Sequence, residues 1–193
     1  MIFRQIFNKS AATYTYLLAN RLGGAAILID PVLEDTKRYL LILEKMGLCL
    51  EKIISTHIHA DHLTAMAKLR NLTKCITVMG IESAADVVSM RVGDGDYIGI
   101  DGIVLKALYT PGHTIDSYCF QMSDRVFTGD TLLIGGTGRT DFPGGNARMA
   151  YDSIFGKLLN LPDDTLVYPG HDYHGNMVST ISQEKALNPR LQV

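Results

Sequence analysis

Short apolar runs separated by polar or glycine-containing turns open the chain. Residues 2–7, 14–18 and 25–29 each have the length of a strand, with a polar turn at residues 8–10 and a glycine pair at residues 23–24. Runs of this kind, bounded by turn-forming residues, are typical of β-strands. The pattern predicts three successive strands and an antiparallel start to the fold.

The spacing of the apolar residues then becomes that of a helix. Tyr39, Leu40, Leu43 and Met46 repeat at helical intervals before Gly47 ends the pattern. Further helices are predicted at residues 63–72, 82–88, 147–159 and 180–186, and further strands at residues 52–56, 76–79, 104–109, 118–122, 125–128 and 166–168. This mixture indicates helices that cover a core built from two sheets.

Composition narrows the class of protein. A chain of 193 residues with 47% hydrophobic content can bury one sizeable core, so we expect a single domain over residues 1–193. A formal net charge of -2 without a run of Lys or Arg argues against nucleic acid or a membrane surface as a partner. Because we also find no spanning segment or export signal, we expect a cytoplasmic protein with small-molecule partners.

The spacing of the three cysteines does not indicate a disulfide framework. Cys49, Cys75 and Cys119 are widely separated, odd in number and without a Cys-x-x-Cys pair. This usage is typical of reduced, mostly buried thiols rather than of disulfides. We expect no structural zinc site from them.

Four possible metal ligands fall within six residues. His57, His59, Asp61 and His62 follow a strand-like apolar segment closely. On an extended segment His57 and His59 point to the same side, whereas Asp61 and His62 can begin the following helix and turn to a second position. A solvated polar loop rarely carries this set. The cluster therefore indicates a metal site, and one segment could serve two metals.

Three more candidates each come directly after a glycine that ends a strand-like segment: His113, Asp130 and His171. Strand ends are where rigid scaffolds often present catalytic groups. Taken singly, each His is more often a structural or surface residue, and Asp130 could cap a turn. Once the six-residue cluster is taken as a metal site, all three become candidate ligands as well. Imidazole and carboxylate ligands without a nearby Cys suit Zn(II), Fe(II) or Mn(II).

The whole ligand series resembles that of the metallo-beta-lactamase superfamily. The segments that carry the resemblance are His-x-His-x-Asp-His at 57–62, Pro-Gly-His at 111–113, Thr-Gly-Asp at 128–130 and Pro-Gly-His at 169–171. The resemblance implies an α/β (α+β) fold, the αββα sandwich of two mixed β-sheets flanked by helices. Because this scaffold hosts hydrolases, nucleases, flavoproteins and dioxygenases, the fold alone does not give the reaction.

Finer matches resemble the persulfide dioxygenases, also called sulfur dioxygenases or the ethylmalonic encephalopathy protein family. They are Phe-Thr-Gly-Asp at 127–130, Gly-Arg-Thr-Asp-Phe at 138–142, Tyr-Pro-Gly-His-Asp-Tyr-His-Gly at 168–175 and Asn-Pro-Arg-Leu at 188–191. The similarity runs from Phe3 to nearly the last residue. It implies an oxidoreductase that oxidises glutathione persulfide with O2 and water to sulfite and glutathione.

The resemblance also implies which residues act. His57, His113 and Asp130 would hold one mononuclear non-haem Fe(II) per chain and form the catalytic centre. The remaining candidates would orient these ligands through hydrogen bonds: His59, Asp61, His62 and His171.

Substrate-binding residues follow from the same resemblance. Arg139, Tyr173 and Arg190 match positions that hold glutathione, whose two carboxylates suit guanidinium groups. An ordinary surface ion pair is the alternative interpretation of the two arginines. The family commonly forms dimers, so the resemblance allows a homodimer without establishing the oligomeric state.

The chain departs from the family pattern in three places, none of them a candidate ligand. Gly135 and Thr137 stand where Arg and Cys are usual, Ala65 replaces a Gly, and Asp116 lies in the segment after His113 where a Gly is common. We expect these changes to affect the loops beside the metal rather than the type of reaction. No fused rhodanese domain is expected.

A glyoxalase II-like thioester hydrolase is the main alternative. It would use two Zn(II) ions, one on His57, His59 and His113 and the other on Asp61, His62 and His171, with Asp130 between them. Its metal-bound hydroxide would attack the thioester of S-lactoylglutathione. Length argues against it, because we expect similarity to glyoxalase II to end near His171, before a C-terminal helical domain. A lactamase and a metal-dependent binding protein without turnover are weaker alternatives.

Overall fold

Two six-stranded β-sheets stack face to face, and helices cover both outer surfaces, in the computed structural model, which describes residues 1–192. The first sheet has the strand order β1–β2–β3–β4–β5–β6. Its strands are β1 (Ile2–Asn8), β2 (Thr13–Ala19), β3 (Ala25–Ile29), β4 (Cys49–Ile54), β5 (Ile76–Gly80) and β6 (Met90–Val92). Strands β1 to β3 pair antiparallel and β3 to β6 pair parallel, which confirms the predicted antiparallel start.

The second sheet has the order β12–β11–β10–β9–β8–β7. Its strands are β7 (Tyr97–Ile100), β8 (Ile103–Tyr109), β9 (Tyr118–Gln121), β10 (Arg125–Gly129), β11 (Leu166–Pro169) and β12 (Ser179–Thr180). Only β10 and β11 pair parallel in this sheet. Both sheets are therefore mixed, and the predicted αββα sandwich is confirmed.

Side-chain alternation on β2 shows how the layers are joined. Tyr14, Tyr16 and Leu18 lie in the core between the sheets, whereas Leu17 and Ala19 face the helices on the outer surface. Successive residues of a strand point to opposite faces, so a strand buried on both faces must be apolar on both. This strand therefore belongs to two hydrophobic clusters at once.

Four helices close the two outer faces: α1 (Thr36–Lys45), α2 (Met66–Thr73), α3 (Ala147–Gly156) and α4 (Ile181–Leu187). Helices α1 and α2 pack on the first sheet, and α3 and α4 pack on the second. The Asn146 side chain accepts a hydrogen bond from the Met149 N–H and starts α3. Thr180 and Gln183 form a capping box that starts α4.

The prediction of a helix at residues 82–88 is wrong, because this segment forms turns and irregular backbone. The Arg91 guanidinium donates hydrogen bonds to the carbonyls of Ser83 and Ala85, and Arg70 donates one to the carbonyl of Val87. Side chains that are distant in sequence thus satisfy carbonyls that a helix would use internally. The short strands β6, β7 and β12 were not predicted.

Helix α2 begins at Met66, later than predicted, so Asp61 and His62 lie in the loop before it. The loop is tied to the end of β3, because Ala65 N–H donates to the Pro31 carbonyl at 2.7 Å. Cys75 and Cys119 are buried as expected, whereas Cys49 is exposed; all three thiols are free. Within residues 1–192, no helix combines the length and apolar character needed to cross a membrane.

Phe120→Ala tests the core between the sheets. Phe120 has no exposed surface and lies in the central cluster, so its removal leaves a cavity. We expect the free energy of unfolding to fall by about 3–5 kcal/mol in urea denaturation. Leu72→Ala is the control, because Leu72 is 57% exposed and its loss should change stability by less than about 0.5 kcal/mol. Equal effects of the two variants would contradict the core assignment.

Candidate metal centre

The candidate ligands converge where four strands end. His57 follows β4, His113 follows β8, Asp130 directly follows β10, and His171 follows β11. Each arrives on a short loop from a strand that is buried in the sandwich. Because the strands are held by their ladders, the positions of these loops are set by the sheets rather than by local sequence.

Three of the candidates form one compact group. One ligand atom from each of His57, His113 and Asp130 lies within 4.8 Å of the others. Asp130 Oδ2 lies 3.4 Å from His113 Nε2 and 3.9 Å from His57 Nε2. Each Nδ1 is engaged elsewhere, with Thr56 Oγ1 for His57 and the Arg139 carbonyl for His113, both at 2.9 Å. The two Nε2 atoms are therefore free to face a common point beside the carboxylate.

Burial and the neighbouring side chains together set the charge of His57 and Asp130. It lowers the pKa of His57 to about 3, so this imidazole is neutral, which is the form that binds metal ions. Burial alone would raise the pKa of Asp130, but the hydrogen bond from His171 and the nearby imidazoles outweigh it and hold this pKa well below its usual range. The group thus offers a neutral imidazole at His57 and a carboxylate at Asp130, with the His113 imidazole 3.4 Å from that carboxylate.

His171 bridges two carboxylates instead of joining the compact group. Its Nδ1 lies 2.7 Å from Asp130 Oδ1 and its Nε2 lies 2.9 Å from Asp61 Oδ2. Burial lowers the pKa of His171, but the hydrogen bonds to Asp130 and Asp61 outweigh it and raise this pKa to about 10. His171 therefore occupies one oxygen of Asp130 and leaves the other facing His57 and His113.

His59, Asp61 and His62 form a second group whose ligand atoms also lie within 4.8 Å of one another. His59 Nε2 contacts Asp30 Oδ1 at 3.2 Å, and His62 Nδ1 contacts Asp61 Oδ2 at 2.8 Å. Among the described residues, the buried atoms His59 Nδ1 and His62 Nε2 have no hydrogen-bond partner. Such orphaned buried nitrogens are rare and require an explanation, which a cation beside them would supply. The two-metal division predicted for a hydrolase differs, because there His59 was grouped with His57 and His113.

Asp30 supports the cluster and was missed by the sequence analysis. It is almost fully buried, and its carboxylate accepts hydrogen bonds from Thr56 N–H at 2.7 Å and Thr56 Oγ1 at 2.8 Å while contacting His59. Asp30 directly follows β3, the strand parallel to β4. The signal was an acidic residue at the end of a buried strand, the same signal that identified Asp130.

The site opens into a cavity of about 830 Å³ lined by His113, Asp130, His171, Arg139 and Tyr173. Its remaining wall is largely apolar, with contributions from Ile58, Leu133, Ile115, Phe142 and Pro143. A second cavity of about 590 Å³ adjoins it and is lined by Arg190.

The three predicted substrate-binding residues are therefore divided between two cavities that share Thr137, Gly138 and Arg139. Arg139 makes a bidentate pair with Asp141, and both side chains are exposed. This geometry matches the surface ion pair considered above, yet it keeps the guanidinium at the boundary between the cavities.

Two of the positions that depart from the family pattern, Asp116 and Thr137, lie beside the site. Asp116 is buried, and its carboxylate accepts a hydrogen bond from Ile58 N–H at 3.1 Å, within the ligand cluster. Thr137 lines both cavities. Their effect on the loops that carry the candidate ligands stays a prediction.

Known proteins are similar to this chain in both sequence and fold. The profile of the metallo-beta-lactamase superfamily matches residues 11–86 and 79–171. Persulfide dioxygenase ETHE1 of Mus musculus, mitochondrial by name, is 43% identical over 99% of this chain and 76% of its own length. The crystal structure of ETHE1 from Myxococcus xanthus superposes with a TM-score of 0.96 at 47% identity, covering 99% of this chain and 84% of that chain.

A hydroxyacylglutathione hydrolase, the enzyme also called glyoxalase II, is more distant. The protein from Rhodopseudomonas palustris (strain BisB18) is 34% identical over 97% of this chain and 73% of its own length. The similarity therefore continues beyond His171, and the expectation that it ends there is wrong. Degree of identity, rather than the extent of the match, separates the two families.

Gly138→Ala tests how closely the chain must approach the ligands. A Cβ at Gly138 would collide with the Asp130 carbonyl and come within 2.8 Å of His113 Nδ1. We expect affinity for Fe(II) to fall at least about tenfold, as for other disturbed ligand supports, when metal binding is titrated anaerobically.

Gly136→Ala is the matched control in the same loop, because its nearest contact would be Leu133 Cβ at an ordinary 3.9 Å. This variant should bind metal as the unmodified protein does. Equal affinity of both variants would show that Gly138 does not constrain the site.

Proposed function

Because this chain belongs to the metallo-beta-lactamase superfamily and, within it, to the persulfide dioxygenase family, we propose that it oxidises glutathione persulfide with O2 and water to sulfite and glutathione. We further propose one Fe(II) per chain, held by His57, His113 and Asp130. The observation that carries the proposal is the convergence of two imidazoles and one carboxylate on one point at the cavity wall.

The donor set fits iron. Two imidazoles and one carboxylate are the ligand set of non-haem Fe(II) oxygenases, and they leave coordination positions open. Iron held by these three residues would supply activation of O2 for oxidation of the outer sulfur of the persulfide. His171 keeps Asp130 in its carboxylate form, and Thr56 and the Arg139 carbonyl hold the two imidazoles in orientation.

Chain residues also hold the substrate. Arg139 and Arg190 suit the two carboxylates of glutathione, and Tyr173 forms part of the cavity wall next to His171. The apolar wall around Ile58 and Phe142 limits water near the reacting sulfur. In the overall reaction the outer sulfur gains its oxygens from O2 and water, the S–S bond breaks, and the inner sulfur leaves as the thiol. The electrons that the outer sulfur loses reduce O2.

A two-metal thioester hydrolase is the second candidate function. The observation that favours it is that two buried nitrogens, His59 Nδ1 and His62 Nε2, have no hydrogen-bond partner among the described residues and belong to the group that also contains Asp61. A second ion there, Zn(II) in the hydrolase, would satisfy both nitrogens.

Three broader expectations stay predictions: one domain over residues 1–193, a homodimer and a cytoplasmic location. Both sheets share one central cluster, which supports the first. The three free thiols suit a reducing compartment, whereas the curated mouse relative is mitochondrial by name.

Anaerobic reconstitution with Fe(II), followed by metal analysis and oxygen uptake, tests the proposed reaction. We expect one iron per chain, oxygen uptake that requires glutathione persulfide, and release of sulfite. Zinc-loaded protein should hydrolyse S-lactoylglutathione poorly or not at all. Two metals per chain with thioester hydrolysis and no oxygen uptake would establish the hydrolase instead.

His62→Ala separates the two metal counts. If one ion lies on His57, His113 and Asp130, this variant should keep one iron per chain, because His62 is outside that group. A two-metal protein would lose one of its ions.

Arg190→Ala tests substrate binding. Loss of one guanidinium should raise KM for glutathione persulfide about tenfold and leave kcat nearly unchanged, because Arg190 lies away from the ligands. Arg21→Ala is the control, since Arg21 is an exposed arginine paired with Asp101 outside both cavities. An unchanged KM for Arg190→Ala would remove Arg190 from the binding site.

A further inference from the structure

A buried carboxylate on the last helix reaches into the loop that borders the candidate metal centre. Glu184 on α4 is only 2% exposed. One of its oxygens accepts hydrogen bonds from the Gly135 N–H at 3.0 Å and the Asn188 side-chain amide at 2.8 Å. Both of these donors are neutral. A buried carboxylate is costly unless its hydrogen bonds are made, so these contacts constrain the loop at Gly135 strongly.

Asn188 extends the contact in two directions. It has no exposed surface, and its amide nitrogen donates to Glu184 and to the Gly136 carbonyl at 3.0 Å. Its carbonyl oxygen accepts a hydrogen bond from the Arg190 N–H, also at 3.0 Å. One side chain thus joins the loop at Gly136 to the backbone that carries Arg190.

The same loop continues to the other arginine. Gly136 and Leu133 close a tight turn through mutual backbone hydrogen bonds, and Gly138 N–H donates to the Asp130 carbonyl at 2.9 Å. Arg139 comes next. Its guanidinium lies at the boundary of the two cavities, and the smaller of them is also lined by Arg190. Glu184 and Asn188 therefore connect the loop that leads to Arg139 with the segment that carries Arg190.

We propose that Glu184 and Asn188 are positioning residues that set the spacing of Arg139 and Arg190, and so give the site its affinity for thiols that carry two carboxylates. Neither residue lines the cavities. This inference rests on the proposed function, since it deepens substrate recognition at the same site. Bidentate contacts between guanidinium and carboxylate depend on geometry, so displacement of either arginine weakens them.

Glu184→Met tests the proposal, because methionine has a similar length but is a poor hydrogen-bond acceptor. We expect the Kd of the iron-loaded protein for glutathione, measured by calorimetry, to rise about tenfold, the loss typical of one disturbed charge-assisted contact. Glu184→Gln should stay within about twofold of the unmodified protein, because its amide oxygen can accept both hydrogen bonds. Iron content should change little in either variant.

Two measurements separate positioning from general loosening. The Kd for glutathione diethyl ester, whose carboxylates are masked, should not respond to Glu184→Met. In a double-mutant cycle with Arg190→Ala, Glu184→Met should add little, because both act on the same contact. An unchanged Kd for glutathione, an equal loss for the ester, or full additivity would each overturn the proposal.

Asn188→Asp is the second variant, in case Glu184→Met does not fold. It preserves shape and the acceptor for the Arg190 N–H but replaces the donor with a carboxylate beside Glu184, so the same rise in Kd is expected. Oxygen uptake with glutathione persulfide is measured on the unmodified protein in parallel. Absent uptake with intact glutathione binding overturns only the proposed reaction, whereas intact uptake with no change in Kd overturns only the positioning role. No glutathione binding by the unmodified protein overturns the positioning role as well.

Discussion

The buried carboxylate of Asp130 is the group on which the site depends. One oxygen is paired with His171 and the other faces His57 and His113, so it is engaged from two sides of the sandwich. A buried charge is tolerated only when partners surround it. The partners come from loops after different strands, so the sheets must bring those strand ends together before the carboxylate can be accommodated.

The mixed topology meets this requirement. In the second sheet β10 and β11 run parallel, so Asp130 and His171 emerge at the same end and meet directly. In the first sheet β3 and β4 also run parallel, so Asp30 and His57 emerge at the same end, where Asp30 accepts hydrogen bonds from Thr56, the neighbour of His57. Each of these two strand pairs thus supplies one member of the compact group and one residue that supports the ligand cluster. Close approach of the chain at Gly138 completes the arrangement.

Most strands and helices could be predicted from periodicity, because a buried element repeats its apolar residues at the interval of its own geometry. Where the predicted elements differ from the structure, the causes are local. Residues 82–88 carry a helix-like pattern, yet Arg70 and Arg91 take the carbonyls that a helix would use. Helix α2 starts only at Met66, since the preceding loop pairs with the end of β3. Short edge strands such as β6 contain too few residues to show a period.

The identity and order of the candidate metal-binding residues follow from the sequence, because clustered imidazoles and carboxylates after strand-like segments have few other uses. The division of those residues between the compact group and its supporting contacts does not follow from the sequence. The grouping of His57 with Asp130, the bridge made by His171, and the support from Asp30 and Glu184 each join positions that are distant along the chain. Spacing along a chain sets only local geometry, whereas packing of the two sheets sets the distances between strand ends, and those distances determine which atoms can share one ion.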